Sequence, residues 1–390
     1  MYAVAMNTST ASARRRPLRV GMFTYGMGRY TTGIGRYASE LCGALRRADP
    51  TLQLWLLNPY PPTAMPWFGA FPNRRLSGVA TLPGVLMRGH AELARAAHAL
   101  QLDIVHDPTG VGPFLARRRG VRRVLTVHDA IPLVAPHLQP VLTRLVFRTL
   151  VAWSPHTADA VLTPSRSAQR DVLHHVAGLA DRLIVVPPGT RWPSDGELAV
   201  HRAAAERAKW AGTLPAHYLL AVGNQDPRKN AERLFAAFRL VRAARPDVAL
   251  VMAGPDTWGR RSALAAGIPD GVHYLGYVSD DQLATAYAGA AVVVFPSLYE
   301  GFGLPALEGM AHGVPVVASN RSALPEVTGE AAILVNPEDV DALAAAVIRI
   351  LTDDGLARRL AVQGRRRAER FTWDATAATV LDLYRGLVGG

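Results

Sequence analysis

The stretch Phe-Pro-Ser-Leu-Tyr-Glu-Gly-Phe-Gly-Leu-Pro-Ala-Leu-Glu, residues 295–308, decides the fold of this chain. An apolar run ends at Phe295, a loop with two glycines follows, and Pro305 stands where the first turn of a helix is expected. Proline is favoured at that position because its missing N–H would be unpaired there anyway. The stretch therefore predicts a buried strand that passes through a short loop into a helix.

The loop of this stretch predicts a site for an anionic ligand. Gly301 and Gly303 let the backbone approach a ligand closely. The free N–H groups at the start of the following helix, with the helix dipole behind them, attract negative charge. Glu300 before the loop and Glu308, expected in the first helical turn, can bind hydroxyls at different points of one ligand. A surface loop with an acidic helix start is the alternative interpretation of these residues alone.

A second strand-to-helix turn favours the ligand site. The apolar residues 219–222 are followed by Gly223-Asn224 and then by Asp226-Pro227-Arg228-Lys229-Asn230, which is expected to open a helix. Arg228 can neutralise a diphosphate with its planar fork, and Lys229 can do so as a point charge. Both turns lie at the carboxyl ends of predicted strands in the same half of the chain.

The alternation of short apolar runs with helical patterns extends through the whole chain and predicts parallel sheets with crossover helices. In the first half, helices are expected at 35–48, 92–100 and 166–176, and strands at 18–24, 52–57, 79–82, 104–106, 124–127, 160–163 and 184–186. In the second half, strands are expected at 218–222, 248–253, 272–275, 292–295, 314–319 and 333–335. A capping box, Ser279-Asp280-Asp281-Gln282, predicts the start of a further helix.

The turn Pro187-Pro188-Gly189-Thr190 can continue neither a helix nor a strand, and it predicts a linker between two domains. We expect an N-terminal Rossmann-like domain at 1–190, with 1–17 disordered, and a C-terminal Rossmann-like domain at 191–372. Open α/β sheets bind ligands at the carboxyl ends of their strands. The fold class predicted is therefore α/β, with two parallel-sheet domains facing each other across a cleft.

Composition limits the functional classes. The 390 residues contain one cysteine, Cys42, which excludes an internal disulfide and a cysteine-rich metal site and suits a reducing cytoplasm. The net charge of +12 allows nucleic acid, an anionic membrane surface or a phosphate-rich substrate as partner. No aromatic residues interleave the arginine clusters as a single-strand stacking platform requires, which leaves a solvated face or an anionic membrane. The clusters lie at 14–16, 117–119 with Arg122 and Arg123, and 365–367.

Several motifs together resemble the family 4 retaining glycosyltransferases of GT-B architecture, in particular bacterial mannosyltransferases of surface-polysaccharide synthesis. The most specific of them is the pair Glu300 and Glu308, with seven residues between them inside the loop. The others are Gly33-Ile34-Gly35-Arg36-Tyr37, Thr126-Val127-His128-Asp129, Thr163-Pro164-Ser165, Pro227-Arg228-Lys229-Asn230, Leu324-Pro325-Glu326-Val327 and Phe371-Thr372-Trp373.

This resemblance assigns roles in the C-terminal domain. It implies that Glu300 contacts the donor sugar, that Glu308 binds the nucleotide ribose, and that Arg228 and Lys229 bind the diphosphate. The segment around Tyr277 and Val278 resembles the part of the family that binds the base. The backbone of the glycine loop is expected to hold the sugar and phosphates, at Gly301, Phe302, Gly303 and Leu304.

In the N-terminal domain the resemblance places Gly33 opposite the donor phosphates and His128 near the transferred sugar. Many relatives have two successive glycines here, whereas this chain has Thr32 before Gly33. The expected catalytic residues are thus Glu300, His128 and Lys229. Residues 373–390 are expected to form a helix that packs back on the N-terminal domain, as in relatives, and that domain is expected to lie on the acceptor side.

Two other patterns are weak. Gly33-x-Gly35-x-x-Ala38 looks like a dinucleotide fingerprint, but it starts nine residues after the strand, and no acid ends the next strand near Asn58. Asp339-x-Asp341 has the spacing of a metal pair, but acidic residues are expected at a helix start. We therefore expect neither a nicotinamide cofactor nor a metal ion.

Together with this resemblance, the sequence predicts a retaining, metal-independent glycosyltransferase that moves a hexose from a nucleoside diphosphate to a hydroxyl of a glycan or lipid-linked acceptor. The resemblance favours mannose from GDP-mannose, with same-face attack in which the leaving phosphate takes the acceptor's proton. The expected location is cytoplasmic, at the inner face of the plasma membrane, without a nucleic-acid partner. The alternatives are a nucleotide-sugar epimerase of the same architecture and, in another class, a basic nucleic-acid-binding protein.

Overall fold

The computed structural model describes residues 16–28, 33–110, 112, 120–138, 153, 155–223, 226–255 and 267–389. Their strands form two separate sheets, one of seven strands and one of six. Every neighbouring pair of strands in both sheets is parallel. The predicted fold class, α/β with two Rossmann-like domains, is confirmed.

The first sheet has the strand order β3-β2-β1-β4-β5-β6-β7. Its strands are β1 Arg19–Phe23, β2 Gln53–Asn58, β3 Asn73–Arg75, β4 Ile104–Asp107, β5 Arg122–Thr126, β6 Ala160–Thr163 and β7 Leu183–Val185. The described helices of this half are α1 Gly33–Ala48, α2 Leu82–Ala99, α3 Ile131–Val134 and α4 Arg166–His175, with single 3₁₀ turns at Pro62–Ala64, Pro66–Ala70 and Pro136–Leu138.

The second sheet has the strand order β10-β9-β8-β11-β12-β13. Its strands are β8 His217–Val222, β9 Val248–Ala253, β10 Val272–Gly276, β11 Val292–Phe295, β12 Val316–Ser319 and β13 Ile333–Val335. The remaining helices are α5 Asp195–Trp210, α6 Ala231–Ala244, α7 Asp280–Gly289, α8 Leu304–Ala311, α9 Leu324–Thr328, α10 Val340–Thr352, α11 Asp354–Ala368 and α12 Trp373–Gly389, with 3₁₀ turns at Pro227–Lys229 and Gly329–Ala331.

Each sheet is covered on both faces, which explains why its central strands are apolar without a polar face. In β1, Val20 and Met22 pack into the layer that contains α1, whereas Phe23 packs into the layer on the other side. All four residues of β11 are buried in the same way. The short apolar runs in the sequence are therefore central strands of parallel sheets.

Most of the predicted strands are confirmed to within a few residues, but the strand predicted at 79–82 is wrong. Residue Leu82 instead begins α2, and Thr81 caps this helix by accepting a hydrogen bond from the N–H of Gly84 (3.4 Å). A threonine N-cap followed by Pro83 in the first turn outweighs the short apolar run. For the same reason, the helix predicted at 92–100 begins ten residues earlier.

The last helix packs against the first sheet's layer of helices. Trp373 and Tyr384 of α12 lie in one buried cluster with α1. The Tyr384 hydroxyl lies 2.6 Å from Nδ1 of His106, and Nε2 of that ring lies 2.8 Å from the hydroxyl of Thr126. Burial lowers the pKa of His106 to about 3, so the ring is neutral, and its hydrogen bond with Tyr384 links the C-terminal helix to the first sheet.

The chain crosses between the two sheets twice, and the two crossings lie side by side. The N–H of Thr190 donates to the carbonyl of Phe371 (2.9 Å), and the Thr376 hydroxyl donates to the carbonyl of Pro187 (2.8 Å). The boundaries at 190 and 372 stay predictions. Residues 1–15 of the segment expected to be disordered lie outside the described residues, and Arg16 forms an ion pair with Asp103.

Candidate functional site

The loop after β11 has the geometry that residues 295–308 predict. Gly303 has φ +108°, a conformation that L side chains rarely adopt, and it is the N-cap of α8, with Pro305 in the first turn. A Cβ on Gly303 would lie 2.5 Å from the side chain of Leu324. Within the described part of the chain, the N–H groups of Phe302, Gly303 and Leu304 donate no hydrogen bond. Three backbone donors are thus available at the positive end of a helix.

Glu300 lies at the centre of a buried cluster of charges. Its side chain accepts hydrogen bonds from Nζ of Lys229 (2.6 Å) and from Nη1 of Arg228 (2.9 Å), and the residue is 7% exposed. Nε of Arg228 also donates to the carboxylate of Asp226 (3.0 Å). The sequence predicted that Glu300 and the basic pair belong to one ligand site, and the structure brings them into direct contact.

The charges of this cluster stabilise one another. Burial alone would raise the pKa of Glu300, but the positive charges of Arg228 and Lys229 outweigh it and hold that pKa below its ordinary value. Burial lowers the pKa of Lys229, which Glu300 opposes. The Glu300 carboxylate is therefore ionised, and it is held by two cations rather than free to attack another atom.

The basic pair lies on a single turn of 3₁₀ helix, Pro227–Lys229, and the α-helix begins only at Ala231. The sequence predicted that this stretch opens the helix directly. Instead, Asn230 separates the 3₁₀ turn from the α-helix, because its backbone is left-handed, with φ +62°. Its side-chain amide donates to the carbonyls of Pro296 (3.1 Å) and Pro337 (2.6 Å). This asparagine fixes the turn that carries the two cations to the loop after β11.

Glu308 is the fifth residue of α8 and lies in the second turn, not in the first as the sequence suggested. Its carboxylate accepts hydrogen bonds from Nη1 of Arg36 (2.7 Å) and from the Tyr287 hydroxyl (2.9 Å). Arg36 belongs to α1 of the first domain and also pairs with Asp280 at the start of α7. Burial lowers the pKa of Arg36, but Glu308 and Asp280 raise it further, so the charge is retained.

Sequence reasoning assigned no role to Arg36, although it stands in the motif that follows Gly33. The signal that could have indicated a role is the position of Arg36, directly after Gly35 at the start of a helix. Its partner lies 272 positions away in the other domain, so no local pattern could identify the contact.

His128 lies where the two domains touch. Its Nε2 lies 2.7 Å from the carbonyl of Pro108, which can only accept, so Nε2 carries the proton and Nδ1 the lone pair. Burial lowers the pKa of His128, which favours the neutral ring. A Cβ on Gly301 would lie 1.9 Å from the His128 backbone carbonyl oxygen, so this carbonyl is packed directly against the glycine loop.

The other predicted donor-binding residues are Gly33, Tyr277 and Val278. Gly33 begins α1, and a Cβ there would meet no atom within 4 Å. Tyr277 is 50% exposed, whereas Val278 packs at the edge of the second domain's core. Thr32 and Asn224 lie outside the described residues. The roles of these residues, like those of Glu300 and Glu308, stay predictions.

A pocket of about 230 Å³ opens beside Glu308, between the two domains. It is lined by Arg36, Tyr287, Trp373 and His312 among others. The His312 ring stacks on Tyr287 with centroids 5.2 Å apart, and its Nδ1 donates to the carbonyl of Glu308 (2.8 Å). The carboxylate expected to bind a ribose therefore faces a space large enough for part of a ligand.

Among the described residues, no group of three or more His, Cys, Asp and Glu side chains is arranged to hold a metal ion. Asp339 is the N-cap of α10 and accepts a hydrogen bond from the N–H of Ala342 (2.9 Å). Asp339 therefore lies at a helix start, as the sequence indicated.

Two parallel-sheet domains that meet at a glycine loop with a buried Glu–Lys–Arg cluster define a glycosyltransferase of the GT-B class. A solved structure, sucrose-phosphate synthase from Thermosynechococcus elongatus, superposes with a TM-score of 0.75 at 26% identity. The superposition covers 95% of this chain and 99% of that one.

Family models match both halves: "Glycosyltransferase Family 4" at residues 31–191 and "Glycosyl transferases group 1" at residues 204–367. O-antigen chain mannosyltransferase B of Escherichia coli is 31% identical over 72% of this chain and 74% of that protein. The MMP alpha-(1->4)-mannosyltransferase of Mycolicibacterium hassiacum is 34% identical over 74% of this chain and 73% of that protein. The chain belongs to the family 4 glycosyltransferases, and it is an enzyme that uses a nucleotide sugar and a glycan acceptor.

Proposed function

We propose that this glycosyltransferase is a retaining, metal-independent mannosyltransferase, with GDP-mannose as donor and a hydroxyl of a glycan or lipid-linked glycan as acceptor. The observation that carries the proposal is the contact of Glu300 with Lys229 and Arg228, next to the helix start at Gly303. The choice of mannose is supported by two relatives, both of which are named mannosyltransferases.

In this proposal the leaving diphosphate is stabilised by groups of the chain itself. Its charge increases as the bond to the sugar breaks, and preorganised donors in a buried site stabilise such charge strongly. Lys229, Arg228 and the N–H groups of residues 302–304 provide two cations and a helix N-terminus at this point. These groups can perform the electrostatic role that a divalent cation performs at other phosphate sites.

Glu300 orients the sugar. Its carboxylate is ionised, and each oxygen accepts a hydrogen bond from one of two cations, so its remaining lone pairs can accept hydrogen bonds from sugar hydroxyls. A carboxylate neutralised in this way is a poor nucleophile. This supports same-face attack by the acceptor, with the departing phosphate taking the acceptor's proton, rather than a covalent intermediate on Glu300.

The proposal is tested with a panel of nucleotide sugars. GDP-mannose is expected to raise the melting temperature more than the corresponding UDP and ADP sugars, because a ligand that binds only the folded state stabilises it. GDP release in the presence of acceptor should continue in EDTA. A Glu308→Ala variant, which lacks the proposed ribose ligand, is the control and should show a smaller thermal shift at the same donor concentration. Loss of activity in EDTA would contradict the metal-independent mechanism, and a larger shift with another sugar would contradict the donor.

We further propose that the enzyme acts at the cytoplasmic face of a membrane, bound by its first domain. Of the arginines that suggested this, Arg122 is half exposed, Arg123 is buried, and 117–119 lie outside the described residues. Additional support comes from exposed apolar side chains of the first domain, Met87 at 77% and Trp153 at 59%. None of the described helices is both long and apolar enough to cross a bilayer.

Membrane binding is tested by sedimentation with vesicles. Anionic vesicles should bind the enzyme at low salt, and neutral vesicles should not, because the attraction is electrostatic and screened by salt. A Met87→Asp variant, which adds negative charge to the surface, should reduce the bound fraction. Equal recovery with neutral and anionic vesicles would contradict the proposal.

A further inference from the structure

Two motifs that the sequence singled out, Thr163-Pro164-Ser165 and Leu324-Pro325-Glu326-Val327, have no role in the donor site described above. They lie in different domains, at the carboxyl end of β6 and in α9. The structure brings them together at the interface, next to the glycine loop.

The first contact holds the backbone of the loop. The Ser165 hydroxyl donates to the carbonyl of Gly301 (2.7 Å), and both residues are buried. The same hydroxyl oxygen accepts from the N–H of Ala168 (3.0 Å) and so caps α4. The residue after Glu300 is thus bound to a fixed point of the first domain.

The second contact is a helix cap supplied by the other domain. The two carboxylate oxygens of Glu326 accept hydrogen bonds from the N–H groups of Arg166 (3.0 Å) and Ser167 (3.1 Å). These are the first N–H groups of α4, which have no partner within the helix and lie at the positive end of its dipole. Charge-assisted hydrogen bonds of this kind are among the stronger ones in proteins.

The position of Glu326 is fixed relative to Glu300. Arg367 of α11 donates from Nε to the carbonyl of Val327 (2.9 Å) and from Nη2 to the carbonyl of Glu326, which holds the end of α9. At the other end of this segment, the hydroxyl oxygen of Ser322 accepts from the N–H of Glu300 (2.9 Å). The loop and the capping carboxylate therefore belong to one connected unit.

A third contact lies on the other side of Glu300 in the sequence. The Tyr299 hydroxyl donates to the carboxylate of Asp171 (2.7 Å) on α4. Tyr299 precedes Glu300 directly, and its side chain is buried against Ile131 and Ala135 of the first domain. The residues on both sides of Glu300 are thus held by the first domain: Tyr299 by Asp171 of α4, and Gly301 by Ser165, the N-cap of α4.

We propose that Ser165 and Glu326 are positioning residues that form an interdomain clasp, and that closure of this clasp sets the orientation of Glu300 toward the donor sugar. Of the groups expected at the diphosphate, Arg228, Lys229 and the N–H groups of 302–304 belong to the second domain, and only Gly33 belongs to the first. Opening the clasp should therefore leave nucleoside diphosphate binding intact and impair sugar transfer. The kinetic part of this proposal rests on the proposed function; the closure itself does not.

The test compares Ser165→Ala and Glu326→Gln with Glu330→Gln, which replaces an exposed carboxylate four residues along the chain. Small-angle scattering should show larger particles for both clasp variants and no change for the control. The kcat for transfer should fall by about 10- to 100-fold, since a displacement of the reacting groups by about 1 Å costs on the order of 10² in rate. The Kd for GDP should stay within about twofold of wild type, which a general loss of fold would not allow. In the double variant, the effects on kcat should not add, because either change alone opens the same contact.

The results separate the clasp from the proposed function. An unchanged radius for both clasp variants would overturn the clasp, whatever their activity. An increased radius with wild-type kcat would overturn the positioning role. If the wild type transfers sugar from no nucleotide, the proposed function fails, and the comparison of radii with the Glu330→Gln control still tests the clasp.

Discussion

Replacing Glu300 with glutamine removes a negative charge and keeps the shape of the side chain. In the folded enzyme this charge lies between two cations, 2.6 Å from Nζ of Lys229 and 2.9 Å from Nη1 of Arg228. Removing one partner of a buried ion pair costs about 3–5 kcal/mol, because the remaining charge is left uncompensated. We expect the free energy of unfolding to fall by an amount near the lower limit of this range. The amide oxygen still accepts one hydrogen bond, and Asp226 still pairs with Arg228.

The same substitution should affect the reaction and the binding of product in opposite directions. If Glu300 orients the sugar, kcat should fall on the order of 10²-fold, which corresponds to about 2.7 kcal/mol of transition-state stabilisation. The two cations lose their competing carboxylate and become available to a diphosphate. GDP should therefore bind more tightly, by on the order of tenfold or about 1.4 kcal/mol.

Initial rates under saturating donor and acceptor give kcat, and titration calorimetry gives the Kd for GDP. Glu330→Gln, which changes an exposed carboxylate of the same domain, is the matched control and should behave as wild type. Circular dichroism and thermal unfolding establish that the Glu300→Gln variant is folded. A folded variant with wild-type kcat would refute the assignment of Glu300, and weaker binding of GDP would refute its competition for the two cations.

Three further predictions follow from the contacts across the domains. Glu308→Ala should raise the donor KM by about 10- to 100-fold and leave kcat within a few fold, because hydrogen bonds to a charged group contribute about 1.5–3 kcal/mol; a fall in kcat at saturating donor would contradict uniform ribose binding. Gly301→Ala places a Cβ 1.9 Å from the carbonyl oxygen of His128, so scattering should show a more open enzyme with little activity, and a compact, active variant would contradict the closed geometry. His106 has a folded pKa lowered to about 3 by burial, so the stability it contributes is present above pH 6.5 and is lost as the pH falls toward 3. Between pH 8 and pH 5 this loss is about 2 kcal/mol, and denaturant unfolding of His106→Gln should show a pH dependence smaller by that amount; an equal dependence would contradict the buried neutral ring.

The sequence predicts those parts of the fold that are determined by interactions between residues close together in the chain. Residues 295–308 contain their own strand end, glycine turn and proline at a helix start, so local chemistry defined the loop. The strand predicted at 79–82 failed because Thr81 and Pro83 favour a helix start more strongly than the short apolar run favours a strand. Both outcomes come from local interactions. In residues 295–308 these interactions agree, whereas at 79–82 a helix start competes with a short apolar run.

The candidate site was predictable in part. Glu300, Arg228 and Lys229 follow strands β11 and β8, which are neighbours in the sheet, so the rule that ligand groups gather at strand ends brought them together. The ion pair of Arg36 with Glu308 and the hydrogen bond of Ser165 to Gly301 join the two domains. Such contacts depend on how the domains dock, which no periodicity or local motif specifies.

The measurement that tests the central claim most directly is the anomeric configuration of the transferred sugar, determined by NMR of the product formed from GDP-mannose and a mannoside acceptor. The account predicts that wild-type enzyme, in EDTA, yields a product with the configuration of the donor, and that Glu300→Gln yields the same product on the order of 10²-fold more slowly. A product of inverted configuration, or no transfer from any nucleotide sugar by enzyme that binds GDP, would contradict it.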